Sequence, residues 1–180
     1  MSSLRNTYDR VSLSDKTFVL RNLTTNGLIT GVQDASIDGS VTPVKYYIQP
    51  LVNEIYELKA VAIVVSDGGN IGLKEYGSIS GGLTNGIRFF VEINGTESLI
   101  GLGFKTNEDL IDLGPNRDRL AYANNRTLSY YEFNISRYAK NGIILNGGNS
   151  DKFGVIVQDD LSNLVSQRFG VKGSLRLRTV

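Results

Sequence analysis

Short apolar runs separated by glycine, asparagine and aspartate dominate the pattern of this chain. The two clearest runs, residues 87–93 (IRFFVEI) and 98–104 (SLIGLGF), flank the dipeptide Asn94-Gly95. Asn-Gly between apolar runs predicts a β-hairpin, because a type I′ turn requires positive φ at both of its central residues. We therefore predict a hairpin whose tip is Asn94-Gly95.

The same pattern of short apolar runs separated by turn residues predicts strands along most of the chain. Residues 54–66 (EIYELKAVAIVVS) also carry a helical stripe, but their β-branched residues and the following Asp67-Gly68-Gly69 favour a long strand. Alternate residues of the segment 128–137 would point to opposite faces of a strand, and the face that carries Tyr131 and Phe133 is the better candidate for the core. Further runs with strand character are residues 17–23, 28–32, 42–50, 142–145, 153–158, 166–172 and 174–178.

Only one short helix is predicted. Residues 106–118 begin with Thr106-Asn107-Glu108-Asp109, which supplies a cap and acidic residues for a first turn, and Gly114-Pro115 ends the helix. The pattern as a whole predicts an all-β protein, an antiparallel β-sandwich of jelly-roll type with about eight strands. We expect a polar N-terminal arm at residues 1–16 and a single β-sandwich domain at residues 17–180.

The amino-acid composition excludes several classes of functional site. The chain has no histidine and no cysteine, so Ser-His-Asp catalysis, histidine metal sites, thiolate sites and disulfides are excluded. Nineteen basic and eighteen acidic side chains give a net charge of +1, without the basic excess of a nucleic-acid-binding protein. The longest apolar run, residues 60–65, is far shorter than the roughly 20 residues of a membrane span, and residues 1–5 lack a secretory signal.

Carboxylates are numerous but form no recognisable motif. The aspartates do not follow the D-x-D-x-D spacing of a calcium loop, and beside turn residues they are expected to bind backbone amides. The glutamates do not identify a glycosidase pair, and we expect them on solvated strand faces. The glycines near residues 77–82 and 101–103 lack the Lys-Ser/Thr of a phosphate loop. We therefore predict that the protein is not an enzyme and binds no cofactor or metal. The carboxylates in question are Asp38, Asp67, Asp151, Asp159, Asp160, Glu54, Glu57, Glu92, Glu97 and Glu132.

Aromatic and basic residues provide the candidate binding surface. In the pairs Tyr46-Tyr47 and Tyr130-Tyr131 one ring points to each face of a strand, and the outward ring suits a subunit interface or a sugar. The basic C-terminal strand suits an acidic neighbouring subunit better than DNA. The candidate subunit-interface residues are Tyr8, Tyr46, Tyr130, Arg168, Arg176 and Arg178.

Four segments, in this order, resemble a family of tailed-bacteriophage virion proteins. The resemblance spans about residues 38–173 and departs at Ser162-Asn163, where Thr-Gly is more typical. Its motifs are signatures of turns and strands, not of catalysis. The segments are residues 38–50 (DGSVTPVKYYIQP), 76–87 (YGSISGGLTNGI), 105–109 (KTNED) and 155–164 (VIVQDDLSNL).

The resemblance implies an accessory structural component of the virion, assembled in the cytoplasm of the bacterial host. Its partners would be other virion proteins and copies of itself, in a ring or a trimer. The neck, collar or tail is favoured over head decoration, and neither nucleic acid nor membrane is expected as the main partner. The alternative is a carbohydrate-binding or receptor-binding β-sandwich module, and a glycan-cleaving enzyme is a more distant rival.

Overall fold

The computed structural model describes residues 17–28, 31–67, 72–113, 116–122, 126–139 and 142–178, with backbone alone at 116–122, 126 and 127. These residues form ten strands, one α-helix and two 3-10 turns. The helix is α1 (Asn107–Asp112), and the 3-10 turns are Ile135–Arg137 and Gly147–Asn149. The strands are β1 (Thr17–Asn22), β2 (Val44–Ile48), β3 (Glu54–Ser66), β4 (Ile87–Ile93), β5 (Thr96–Phe104), β6 (Asn116–Tyr122), β7 (Arg126–Asn134), β8 (Ile143–Asn146), β9 (Lys152–Val157) and β10 (Ser166–Leu177).

The strands form two antiparallel sheets that pack face to face. The larger sheet has the order β1-β10-β3-β7-β6, with β8 also paired to β3, and the smaller sheet has the order β2-β9-β4-β5. Across the interface, the rings of Phe89 and Phe169 meet edge to face with centroids 6.2 Å apart. The predicted antiparallel β-sandwich with one short helix is confirmed, although ten strands replace the expected eight or so.

The long strand β3 is the centre of the larger sheet. Tyr56, Leu58 and Ile63 point into the core, and the helical stripe that the sequence also allowed does not form. The alternation of inward and outward side chains along β3 shifts near Lys59. At this point the pairing of β3 with β10 has a register shift, beside Gly173. Glycine is required there, since a Cβ atom on Gly173 would lie 2.3 Å from the carbonyl oxygen of Glu57.

The predicted hairpin joins β4 to β5. Asn94 and Gly95 have φ values of 50° and 77°, the positive values that a type I′ turn requires. The amide of Asn94 also donates to the Asp151 carboxylate at 2.9 Å. The hairpin tip is therefore fixed both by its own turn chemistry and by the loop before β9.

Several predicted bounds are wrong. Helix α1 ends at Asp112, before Gly114-Pro115 as expected, but residues 116–118 of the same predicted segment begin strand β6, which the sequence reading missed. The helix starts as expected, with Thr106 and Asp109 forming a capping box. The predicted strand 128–137 ends at Asn134, whose side chain accepts a hydrogen bond from the Ser136 amide and starts a 3-10 turn. The runs at 166–172 and 174–178 are the single strand β10 up to Leu177, and no strand forms in the described part of residues 28–32.

The predicted arm at residues 1–16, including Tyr8, lies outside the described residues. Within the described part of the chain, no helix has the length and apolar character needed to cross a bilayer.

Candidate interaction surface

The solvent-facing side of the larger sheet collects three of the five predicted interface residues that the structure describes. Val64 of β3 pairs with Arg168 on one side and Tyr130 on the other, and Arg176 pairs with Ile55. Directly paired residues point to the same face of a sheet, so these side chains share one surface. We call it the outer sheet face. Its main members are Phe18, Leu20, Ile55, Glu57, Val64, Tyr130, Glu132, Ile144, Arg168, Lys172, Ser174 and Arg176.

The other two described candidates lie elsewhere. Tyr46 is only 2% exposed and packs in the core, so its expected place in a subunit interface is wrong. The reason is register, since Tyr46 is paired with the buried Val155 and the outward member of the pair is Tyr47. Arg178 follows β10 at the margin of the sheet, where its amide donates to the Asn53 carbonyl at 2.7 Å.

A polar network occupies the middle of the outer sheet face. The Lys172 ammonium forms an ion pair with Glu132, and the Tyr130 hydroxyl donates to the same carboxylate at 2.6 Å. Lys172 also lies over the Tyr130 ring, 5.5 Å from its centroid. Partial burial works to raise the pKa of Glu132, but the hydrogen bonds from Lys172 and Tyr130 and the Lys172 charge outweigh it and leave this pKa below its ordinary value. The hydrogen bond to Glu132 raises the pKa of Lys172.

Glu132 should make stability depend on pH in the acid range. Because its folded pKa lies below the ordinary value of 4.5, its contribution is fully present above that pH and is lost as pH falls through the folded pKa. We expect Glu132→Gln to lower the free energy of unfolding by up to about 1 kcal/mol at pH 7, and by less as pH approaches 3. Urea unfolding of both proteins from pH 7 to 3 measures this. Lys172→Gln should make the free energy of unfolding depend less on pH between 7 and 3. A difference in this free energy between wild type and Glu132→Gln that does not change with pH would contradict the prediction.

One margin of the outer sheet face is apolar. Phe18 and Leu20, on the edge strand β1, are 63% and 59% exposed. Gly170 of β10 carries no side chain, and the Leu20 side chain lies beside it, at 3.6 Å from the position that a Cβ atom would occupy. Farther along the face, a shallow cleft of about 200 Å³ is lined by Ile55, Glu57, Ile144, Ser174 and Arg176.

A second feature is a cluster of loops at one end of the sandwich, organised by Asp159. The buried Asp159 carboxylate accepts hydrogen bonds from the amides of Thr84 (2.9 Å), Asn85 (3.0 Å) and Gly86 (2.7 Å). Its carbonyl accepts from the Gly39 amide at 3.0 Å. Asp159 thus connects the loop before β4 with the loop before β2.

The segment at residues 105–109 joins the same cluster. The Leu83 amide donates to the Lys105 carbonyl at 2.8 Å, and the Lys105 ammonium donates to the Thr84 carbonyl at 2.9 Å. All four segments that carry the family resemblance are therefore in contact, which the sequence order alone did not reveal. An open cleft of about 310 Å³ at this place is lined by Ser40, Ile79, Gly82, Leu83, Thr84, Asn85, Asp159 and Asp160.

Four of the aspartates, Asp38, Asp151, Asp159 and Asp160, accept hydrogen bonds from backbone amides in or beside turns, as the sequence predicted. Asp151 binds the amides of Asn94 and Asn146, and Asp160 binds the Ser162 amide at 2.9 Å. In the described ranges, no group of three or more histidine, cysteine, aspartate or glutamate side chains is arranged to hold a metal ion.

The glutamates named in the sequence analysis each pair with a basic side chain. Four of the pairs lie on strand surfaces, whereas the pair of Glu54 with Arg21 is buried. The sequence reading missed this pair, because nothing in the local pattern distinguishes a charged residue that starts a buried strand from one that starts an exposed strand. The surface pairs are Glu57–Lys59, Glu92–Lys152, Glu97–Lys45 and Glu132–Lys172.

Comparison of the chain with protein-family models, curated proteins and solved structures finds no match.

Proposed function

We propose that the protein is a structural component of a tailed-phage virion that binds neighbouring subunits and copies of itself. The observation that carries this proposal is the outer sheet face, which joins an apolar margin to tyrosine and arginine side chains. Aromatic residues and arginine are enriched in protein interfaces, and apolar edge strands are normally covered in the functional assembly. The absence of histidine and cysteine further favours assembly over catalysis.

We further propose that the sandwich is of jelly-roll type. Its pairing supports this, since β1 pairs with β10, β2 with β9, β3 with β7, and β4 with β5, and successive pairs alternate between the two sheets. A chain paired in this way is one long hairpin wrapped into a barrel-like sandwich, with its tip at Asn94-Gly95. Jelly rolls recur in viral capsid proteins and in lectins.

The proposed location in the particle rests on the sequence resemblance. That resemblance favours the neck, collar or tail over head decoration, with the copies arranged in a ring or a trimer. The loop cluster at Asp159 supports a shape-defining role for the four segments of the resemblance, because the hydrogen bonds that join them hold turns and strand ends.

A carbohydrate-binding module is the second candidate, favoured by the cleft beside Asp159. Ser40, Thr84 and Asn85 offer polar groups there, as a sugar would require. However, the residues that line this cleft include no aromatic side chain on which a sugar ring can stack. The outer sheet face therefore supports assembly better than the cleft supports sugar recognition.

Three measurements separate these functions, two on the purified chain and one on assembled particles. Mass photometry over increasing concentration is expected to show discrete oligomers, and a glycan array is expected to show no binding. Gold-labelled antibody should label assembled particles at one location. A protein that stays monomeric, binds a glycan and is missing from particles would overturn the proposed function.

A further inference from the structure

Strand β1 is an edge of the larger sheet that lacks the usual protection. Within the described residues it pairs only with β10, in a register without a bulge. Proteins usually protect such edges with proline, bulges or exposed charges. In β1 there is no proline, the one charged residue, Arg21, is buried, and the solvent-facing side chains are Phe18 and Leu20. An edge of this kind favours the addition of another strand.

The backbone hydrogen bonds around β1 show which of its residues face the free side. The Leu23 amide donates to the Phe169 carbonyl of β10 at 2.9 Å, so the odd residues face β10. Thr24 exchanges hydrogen bonds with Tyr47 on the other side, at 2.8 and 3.1 Å. Because the backbone groups of an antiparallel strand point alternately to its two sides, the amides and carbonyls of residues 18, 20 and 22 face the free side. The free edge ends with the strand, since the Tyr47 backbone occupies this side at Thr24.

Other edge strands of the described sandwich differ in this respect. Strand β2 is flanked by Pro43 and Pro50 and carries Lys45, which forms an ion pair with Glu97. Strand β5 carries that glutamate, and its pairing with β4 is irregular. Strand β6, at the other end of the larger sheet, contains the charged sequence Arg117-Asp118-Arg119. An apolar strand without charges is therefore matched best by β1 itself.

We propose that β1 pairs with β1 of a second copy, antiparallel and about a two-fold axis that lies between Val19 and the partner's Val19. In this pairing Phe18 lies opposite the partner's Leu20, and Leu20 lies opposite the partner's Phe18. Opposed residues of an antiparallel pair share one face, so these apolar side chains cover one another on the outer sheet face. The inference rests on the proposed function only in requiring that copies of the chain meet.

The register follows from the described strand. Phe18 and Leu20 direct both their side chains and their free backbone groups to the positions that the same two residues need in the other copy, so each opposed pair is hydrogen-bonded. A register centred on Leu20 would place Phe18 opposite Asn22, whose side-chain amide already donates to the Gly31 carbonyl at 3.0 Å. A register centred on Phe18 would place Leu20 opposite a residue outside β1. Only the register centred on Val19 matches both apolar side chains within the strand.

The pairing would join the outer sheet faces of two copies. A two-fold axis perpendicular to the sheet leaves both faces on the same side of one continuous sheet, so Tyr130 and Arg168 of each copy would belong to a single larger surface. The paired segment, residues 17–21, is short. We therefore expect a dimer that dissociates on dilution, as contacts below about 1,200 Å² usually do. A ring or a trimer would need a further contact elsewhere on the subunit.

Cysteine cross-linking of the full chain tests the pairing, because the natural chain contains no cysteine. In Val19→Cys the opposed Cα atoms would lie about 4.5 Å apart, within the range of a disulfide. The matched control is Thr17→Cys, on the same face of the strand and more exposed, whose two copies would lie roughly 14 Å apart. Mild oxidation is expected to give a covalent dimer of Val19→Cys at least about tenfold faster than of the control. Random collision would instead favour the more exposed Thr17→Cys.

A mixture of two single variants tests the register without changing Val19, which packs against the core. Phe18→Cys and Leu20→Cys replace exposed side chains, and the proposed register places these positions opposite each other with Cα atoms about 5.5 Å apart. Oxidation of the equal mixture is expected to give mainly the mixed disulfide, identified by intact mass. Each homodisulfide would have to span about 8 Å between Cα atoms, beyond the range of a disulfide.

The outcomes separate the pairing from the proposed function. Disulfides in random proportion would overturn the pairing, as would a folded Val19→Cys protein that dimerises no faster than the control, which is the result if residues 1–16 or another protein cover the edge. A predominant homodisulfide would overturn the register. If discrete oligomers persist without these cross-links, the inference fails and the proposed function stands. If the cross-links form but the protein is absent from particles, the pairing stands and the proposed function fails.

Discussion

Replacement of Glu54 by alanine is expected to lower the free energy of unfolding by about 3–5 kcal/mol, the usual cost of leaving one member of a buried ion pair alone. The Arg21 and Glu54 side chains are only 9% and 8% exposed, and their nearest charged atoms lie 3.2 Å apart. Glu54 also accepts the Leu51 amide at 2.9 Å. The variant would therefore lose a loop contact and leave a buried guanidinium unpaired. Urea unfolding, fitted with one m value for both proteins, measures the change in the free energy of unfolding.

Two comparisons isolate the burial effect. Glu97→Ala removes an exposed pair with Lys45 and is expected to cost less than about 1 kcal/mol. The double change Arg21→Met with Glu54→Leu should be closer to wild type than Glu54→Ala, since apolar replacement removes both desolvated charges. The buried Arg21 Nη1 atom has no hydrogen-bond partner among the described residues, which strengthens this expectation. Equal losses from Glu54→Ala and Glu97→Ala would show that burial does not control the energy of the pair.

Replacement of Asp159 by alanine is expected to cost about 3 kcal/mol, because each buried amide left without an acceptor costs roughly 1–3 kcal/mol and solvent reaches part of the site. The amides affected are those of Thr84, Asn85 and Gly86. Gly86 is the most constrained of them, with φ at 85° and a backbone that lies close to the Phe104 carbonyl. Loss of the carboxylate should therefore loosen the start of β4 as well as lower global stability.

The neighbouring aspartate provides the control for this prediction. Asp160 is exposed, and among the described residues its carboxylate accepts hydrogen bonds only from Ser162, so Asp160→Ala is expected to cost less than about 1 kcal/mol. Hydrogen exchange should show faster exchange at Gly86 and Ile87 in Asp159→Ala and little change in Asp160→Ala. Similar effects of the two variants would mean that Asp159 does not organise the loop cluster.

These two residues also show why the shared motifs need not mark a reactive site. The LTNGI segment supplies three amides and the QDDL segment supplies the carboxylate that accepts them, so the two fix one end of the sandwich together. Asp109 in the KTNED segment closes the capping box of α1 in a similar way. In the proposed assembly role, loops held in this manner would present the same surface in every copy.

The sequence by itself determined the features that depend on neighbours along the chain. Alternation and β-branched residues identified strand β3, Asn94-Gly95 identified the hairpin turn, and Thr106 identified the start of α1, because each is decided within a few residues. Alternation also assigned Tyr131 to the core, confirmed by its burial. The same local rules could not orient Tyr46-Tyr47, where either register places one ring inside.

Only the tertiary structure decided which distant residues meet. Polar strand β6 forms because β7 supplies its hydrogen-bonding edge, and its sequence alone gave no apolar pattern. The Arg21–Glu54 pair and the contacts of Asp159 join residues 33 and more than 70 positions apart. Short-range propensity carries no information about such contacts, since they depend on the order in which strands pair. That order is also what places Tyr130, Arg168 and the apolar margin of β1 on one exposed face.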